Sequence, residues 1–162
     1  MSRIIEGHQA IIAEIERGMQ KVQSTGTNLE IPPRVAHTLQ GEFVRYERNR
    51  SLEVQFPILP EFTNPAGILQ GGILCAMIDN VMGPLSYLVA RNPTTTLDLT
   101  TNFVRTARPG NRLKIVAEVR GRGINTIHMT AEVTNQKDKL IGTASSNLCI
   151  IRTGPTAEPE ES

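Results

Sequence analysis

Tryptophan is absent from this chain and aromatic residues make up only 4% of its 162 positions, so few rings are available for nucleic-acid bases to stack on. Charge of one sign is equally scarce: 17 Lys and Arg stand against 16 Asp and Glu, a net charge of +1. Neutralising a phosphate backbone takes a concentrated basic face, and this balance argues against a nucleic-acid partner. Cysteine is limited to Cys75 and Cys149, which form no CxxC pair and have no histidine at ligand spacing. They read as buried free thiols in a reducing compartment, with neither a zinc site nor another cofactor expected.

A basic-then-apolar leader is also missing, because Glu6, Glu14 and Glu16 interrupt the first turns. The most apolar stretch, residues 73–90, is interrupted by Asp79, Asn80, Gly83 and Pro84, so no membrane span is expected and the cytoplasm is the expected compartment. The length suits one domain with one sizeable core.

What is present falls into three parts. Residues 1–40 begin with an amphipathic helix from Ser2 to Val22, which sets Ile4, His8, Ile11, Ile15, Met19 and Val22 on one side. Glu6, Glu14, Arg17 and Lys21 take the other side. His8 on the apolar stripe reads as a packed histidine rather than a catalyst. A loop follows to Gln40, stiffened by Pro32-Pro33. Residues 41–151 hold two strands, Gly41–Asn49 and Ser51–Ile58, around an Asn49-Arg50 turn, then a helix from Ile73 to Ala90, then four strands of period two. In the first of those four, Leu97, Leu99 and Phe103 alternate with Thr96, Asp98 and Asn102. Turns are expected at Arg108–Asn111, Gly121–Gly123 and Asn135–Asp138. Residues 152–162 form a short acidic tail, expected to be disordered.

The chain is organised around the helix from Ile73. Leu74, Met77, Ile78, Val81, Leu85 and Leu88 make one wide apolar stripe, and Asp79 points the opposite way as the segment's single charge. Around Asp79 the face carries Gly72, Cys75, Ala76, Gly83 and Ser86, where a solvated helix would show Lys, Glu and Gln. Either another chain or a ligand is expected to approach that face closely. Gly71 and Gly72 open the helix, where unpaired amides and the positive end of the dipole suit a developing oxyanion. A strongly curved antiparallel sheet of about six strands around one apolar helix is the α+β arrangement that would cover it.

Asn64, Gln70-Gly71-Gly72, Asp79, Thr96-Leu97-Asp98-Leu99 and the run from Asn102 to Gly110 together resemble the signature of hotdog-fold acyl-CoA thioesterases of the phenylacetate-pathway, PaaI-like type. The similarity spans roughly Gly41 to Ile151, and it departs from the family pattern at Gln70, where a histidine is usual. The resemblance implies hydrolysis of an acyl thioester to an acid and free coenzyme A, with Asp79 as general base or nucleophile and the Gly71 N–H as oxyanion donor. Thr96 and Asn64 would handle water or the carbonyl, Gly72 would let substrate approach, and Arg105, Arg108, Arg120 and Arg122 would meet the coenzyme phosphates. It further implies a homodimer, or a doubled tetramer, with sites at the subunit interface. The alternative is a non-catalytic acyl-CoA or lipid-binding hotdog protein, favoured by Gln70, whose amide donates a hydrogen bond but does not titrate near neutrality. The acyl group, aromatic or medium-chain aliphatic, stays open.

Overall fold

The computed structural model describes residues 3–24 and 26–152; beyond its first residue, the tail expected to be disordered lies outside them. Eleven elements follow one another: β1 (Ile4–Glu6), α1 (His8–Gln23), α2 (Arg34–Leu39), β2 (Glu42–Glu47), β3 (Ser51–Pro57), a 3-10 turn (Pro60–Phe62), α3 (Gly71–Ala90), β4 (Thr94–Phe103), β5 (Arg112–Arg122), β6 (Thr126–Asn135) and β7 (Leu140–Ile150). The strands form one antiparallel sheet in the order β1-β2-β3-β5-β6-β7-β4. This is the expected α+β hotdog arrangement with one more strand than anticipated.

The extra strand comes from the segment expected to begin the first helix. Ile4 and Ile5, β-branched and helix-poor, pair with Glu47 and Tyr46 of β2. Gly7 at φ 92 then turns the chain, and α1 starts at His8. Ile4 is therefore exposed on a sheet edge rather than part of the helix stripe, while Ile11, Ile15, Met19 and Val22 are buried as expected. His8 is structural: its Nδ1 accepts the Phe43 backbone N–H at 3.0 Å and its ring stacks on that of Phe43. The stretch expected to be a loop up to Gln40 contains α2, which starts directly after Pro33, where the fixed φ of proline suits a helix entrance. At the β5–β6 connection, Gly121 and Arg122 continue β5, so the connection is residues 123–125, two residues later than the glycine pair suggests.

α3 is the core. All six residues of its expected stripe are buried. They pack on the inward residues of the sheet, among them Leu52, Val54 and Phe56 of β3, Leu113 and Ile115 of β5, and Met129 and Val133 of β6. By length and composition α3 is apolar enough to cross a membrane, contrary to the sequence expectation. Here that apolarity is used against the concave face of the sheet.

Among the described residues, one charged side chain also sits inside. Glu14, expected on the solvent side of α1, is 5% exposed and receives Arg91 at 3.1 Å together with Arg17. Arg91 ends α3 in a left-handed conformation, φ 56, and its side chain lies over Gly18 of α1 where a Cβ would stand 2.8 Å from the guanidinium. This ion pair ties α1 to the end of the central helix, and it explains why Glu14 leaves the polar face. Replacing Glu14 by Ala is expected to cost about 1–2 kcal/mol in chemical denaturation, because both arginines keep partial access to water. The neighbouring exposed Glu16→Ala should stay within about 0.5 kcal/mol.

Candidate active site

The polar flank of α3 is covered by β4 of the same chain. Three contacts define that seam: Cys75 Sγ to Thr101 Oγ1 at 3.5 Å, Thr96 Oγ1 donating to Asp79 Oδ1 at 2.8 Å, and the Ser86 hydroxyl against that of Thr94. The close approach expected from another chain or a ligand is thus made, on this flank, by a strand of threonines. Small residues on the helix are what let the strand come near.

Strand phase alone would send Thr96 the wrong way. Thr96 pairs with Leu148 and Asp98 with Asn147, so Leu97 is an extra residue in a β-bulge. Because of that insertion, Thr94, Thr96, Leu99 and Thr101 all share the helix side, while Asp98 turns outward. The Asp98 carboxylate accepts the Asn147 side chain at 2.8 Å and its backbone N–H at 3.1 Å. Leu97 itself, which the alternation placed with Leu99 and Phe103, is 59% exposed, and Phe103 is 58% exposed.

Asp79 is half-buried and borders a cavity of about 430 Å³. Its walls are α1 (Ile12, Ile15), the segment from Leu29 to Val35, the α3 residues Asn80, Gly83, Pro84 and Tyr87, and Thr94–Thr96 of β4. Ile31 and Val35 line it, whereas Leu39 is core. Tyr87 carried no sequence signal beyond its helical position. Burial pushes its phenol above the ordinary tyrosine range, against the opposing effect of a hydrogen bond with the Thr94 backbone.

The other expected residues gather at the opposite end of the helix. Gly71 is the first residue of α3 and borders a second cavity, about 310 Å³, with Asn64, Phe103 and Arg105. Eight residues of helical rise put Gly71 about 12 Å from Asp79 along the axis, so within one chain the two cannot meet the same carbonyl. A Cβ at Gly71 would press on the Phe103 ring at 3.1 Å, while at Gly72 it would meet nothing within 4 Å. Asn64 folds its own loop: its Oδ1 accepts the N–H groups of Ala66 at 2.9 Å and Ile68 at 3.3 Å. Gln70 is the exposed N-cap residue, contributing its carbonyl rather than its side chain to the first turn.

The arginines divide. Arg105 lies at the Gly71 cavity and donates to the Leu140 carbonyl at 2.8 Å, and Arg108 is exposed just beyond it. Arg120 is held by Glu118 and Thr130. Arg122 donates to the Val89 carbonyl at 2.9 Å, at the C-terminal end of α3, where it complements the helix dipole. Those two are therefore separated from the Gly71 end by most of the helix. Among the described residues, no group of three or more His, Cys, Asp or Glu could hold a metal ion.

The raised Tyr87 phenol carries a pH signature. Its neutral form is favoured in the fold, so this stabilisation is complete below the unfolded pKa, about 10, and is lost as pH rises through the higher folded value. Lys114, whose ammonium is held up by Asp138, loses its contribution in the same direction. Denaturation midpoints measured above about pH 9 should therefore fall, and Tyr87→Phe should flatten part of that slope while leaving the Lys114 part.

The profile of the family described as the thioesterase superfamily matches residues 66–141, from just before α3 into β7. No curated protein matches the sequence significantly. Among solved structures, the chain is similar to the E. coli PaaI protein of the phenylacetic acid degradation operon, with 16% identity, a TM-score of 0.73, and coverage of 88% of this chain and 96% of that one. It is also similar to a hypothetical thioesterase from Streptococcus pneumoniae solved with coenzyme A, at 21% identity and TM-score 0.64 over 68% of this chain and 87% of that one. A putative esterase from Mycobacterium tuberculosis matches at 20% identity and TM-score 0.70, over 76% of this chain and all of the other (100%). The match to the thioesterase-superfamily profile runs through the central helix, and the sheet curled around that helix gives the chain the hotdog fold of the PaaI protein.

Proposed function

We propose that this protein is an acyl-CoA thioesterase that releases a carboxylic acid and free coenzyme A, with Asp79 as the acid–base or nucleophilic group. The observation that carries this reading is the Asp79 carboxylate, oriented by the Thr96 hydroxyl at 2.8 Å, on the border of an apolar cavity. With Oδ1 occupied by Thr96, Oδ2 is the oxygen that takes a proton from water attacking the thioester carbonyl, or that attacks the carbonyl itself. The oxyanion then needs a donor, and the coenzyme leaves as its thiolate.

The donor in this reading is the Gly71 N–H of a second copy. Two features support pairing of copies. Gly71 and Asp79 lie too far apart to serve one carbonyl in a single chain. β4 is the end strand of the sheet, with Leu97, Phe103 and Val104 exposed on and beside it. In the assembled site Arg105 and Arg108, beside the Gly71 cavity, are better placed for coenzyme phosphates than Arg120 and Arg122, which the fold engages elsewhere. The S. pneumoniae relative has been solved with coenzyme A, and variants of it with one aspartate or one threonine replaced by alanine have been solved as well. Those residue types are the pair singled out here.

The alternative, an acyl-CoA or lipid-binding protein without turnover, is favoured by Gln70, an exposed amide where the family pattern has an imidazole. Thiol release from a panel of acyl-CoA esters separates the two. Asp79→Asn should lower kcat by about 10²- to 10⁴-fold, and Thr96→Val, which removes one orienting hydrogen bond, by about tenfold. Saturable binding with no acid released by the wild type would establish the binder instead. Gln70→His, which restores a group that titrates near neutrality, is expected to raise kcat of the hydrolase.

A further inference from the structure

We infer that the Gly83 position of α3 is the floor of an acyl groove and sets which acyl groups the protein accepts, selecting medium-length unbranched aliphatic chains over a single aromatic ring; this rests on the proposed thioesterase reading. Asp79, Gly83 and Tyr87 follow one another at intervals of four residues, so they form one ridge of the helix. All three border the same cavity. The ridge is about 12 Å long from Asp79 to Tyr87, which fixes the direction of the groove from the reacting group to its far end.

Gly83 lies at the midpoint, and a Cβ built there would meet nothing within 4 Å apart from its own chain neighbours and helix turn. A glycine inside a helix weakens it relative to alanine; Pro84 follows directly and disfavours a side chain at the preceding helical position, which is a local reason for glycine here, and beyond its own chain neighbours and helix turn nothing within 4 Å fills the space. The space over Gly83 belongs to the cavity. The same cavity is lined by Ile12 and Ile15 of α1 and Ile31 of the segment before α2, all branched aliphatic side chains. Glu30, the charged residue on that segment, pairs with Arg34 at the exposed rim. A phenyl group attached to the thioester carbonyl would end short of Tyr87 and leave the far half of the groove to water. An extended alkyl chain would bury methylenes along its whole length, each stabilising by about 0.8 kcal/mol.

This wall lies outside the family match at residues 66–141, so the N-terminal part of this particular chain, together with Gly83, shapes the groove. Selectivity is therefore a property of how α1 and the Leu29–Val35 segment pack on α3, while the chemistry stays with Asp79.

Gly83→Ala and Gly83→Leu, compared with the wild type, test this on butanoyl-, octanoyl-, dodecanoyl- and phenylacetyl-CoA. The parallel readout is affinity for the corresponding S-alkyl coenzyme A thioethers, which cannot be hydrolysed. The wild type should prefer octanoyl- over both butanoyl- and phenylacetyl-CoA. The octanoyl-to-butanoyl ratio of kcat/KM should fall about tenfold in Gly83→Leu, as expected for about two methylenes expelled from the groove, and by less in Gly83→Ala. Circular dichroism of both variants checks that the helix is intact, since a Cβ on the residue before Pro84 works against helical backbone. Unchanged ratios in both variants, or a wild type that prefers phenylacetyl-CoA, would overturn the inference while leaving the hydrolase reading in place. If no ester is cleaved, a chain-length shift in thioether affinity in Gly83→Leu supports the groove and removes only the hydrolase; affinity indifferent to chain length removes the groove.

Discussion

The hydrogen bond from Thr96 to Asp79 depends on one extra residue in β4. Without the bulge at Leu97, strand alternation would send the Thr96 hydroxyl to the outer face of the sheet with Asp98. With it, a run of threonines lies against the small-residue flank of α3, and the only charge on that helix gains a partner in the same chain. A carboxylate at the border of an apolar cavity needs such a partner to hold one orientation, since each unpaired oxygen near low-dielectric surface costs free energy.

The rest of the fold serves the placement of α3. Its apolar stripe is buried against the concave face of the sheet, and α1 closes the side near Gly83 and Tyr87. The buried Glu14, held by Arg91 at the end of α3, fixes α1 to the same helix that carries Asp79. Motion of α1 would therefore change the cavity wall and the helix end together. The two ends of α3 border different cavities: Gly71 of the first turn and Arg105 line one, and Asp79 with the residues from the middle of the helix onward line the other.

Much of the architecture was legible in the sequence because it rests on periodicity. The stripe from Leu74 to Leu88, the alternation in β3, β5 and β6, and the glycine pair at the start of α3 each reflect a local repeat matched to a buried face. The departures have local causes that periodicity does not register. β1 forms because Gly7 adopts positive φ, α2 forms directly behind Pro33, and Glu14 is inside because an arginine distant in sequence reaches it. For the candidate site, Asp79 and Thr96 were visible as residues, but their contact was not, since it requires a register shift that no residue type announces. Asn64 has a visible structural duty as the closure of its loop, and Arg122 as a partner of the helix end.

The sequence by itself determined a central helix apolar on one side, a lone aspartate on the other, and strands enough to enclose it, because burial of apolar surface follows the helical and strand periods directly. Only the tertiary structure decided that Thr96 faces Asp79, that Gly71 and Asp79 border separate cavities, and that Gly83 lies under open space walled by α1 and the Leu29–Val35 segment. Those relations join residues remote along the chain, and their geometry arises from strand register and helix packing, which are settled when the whole core assembles.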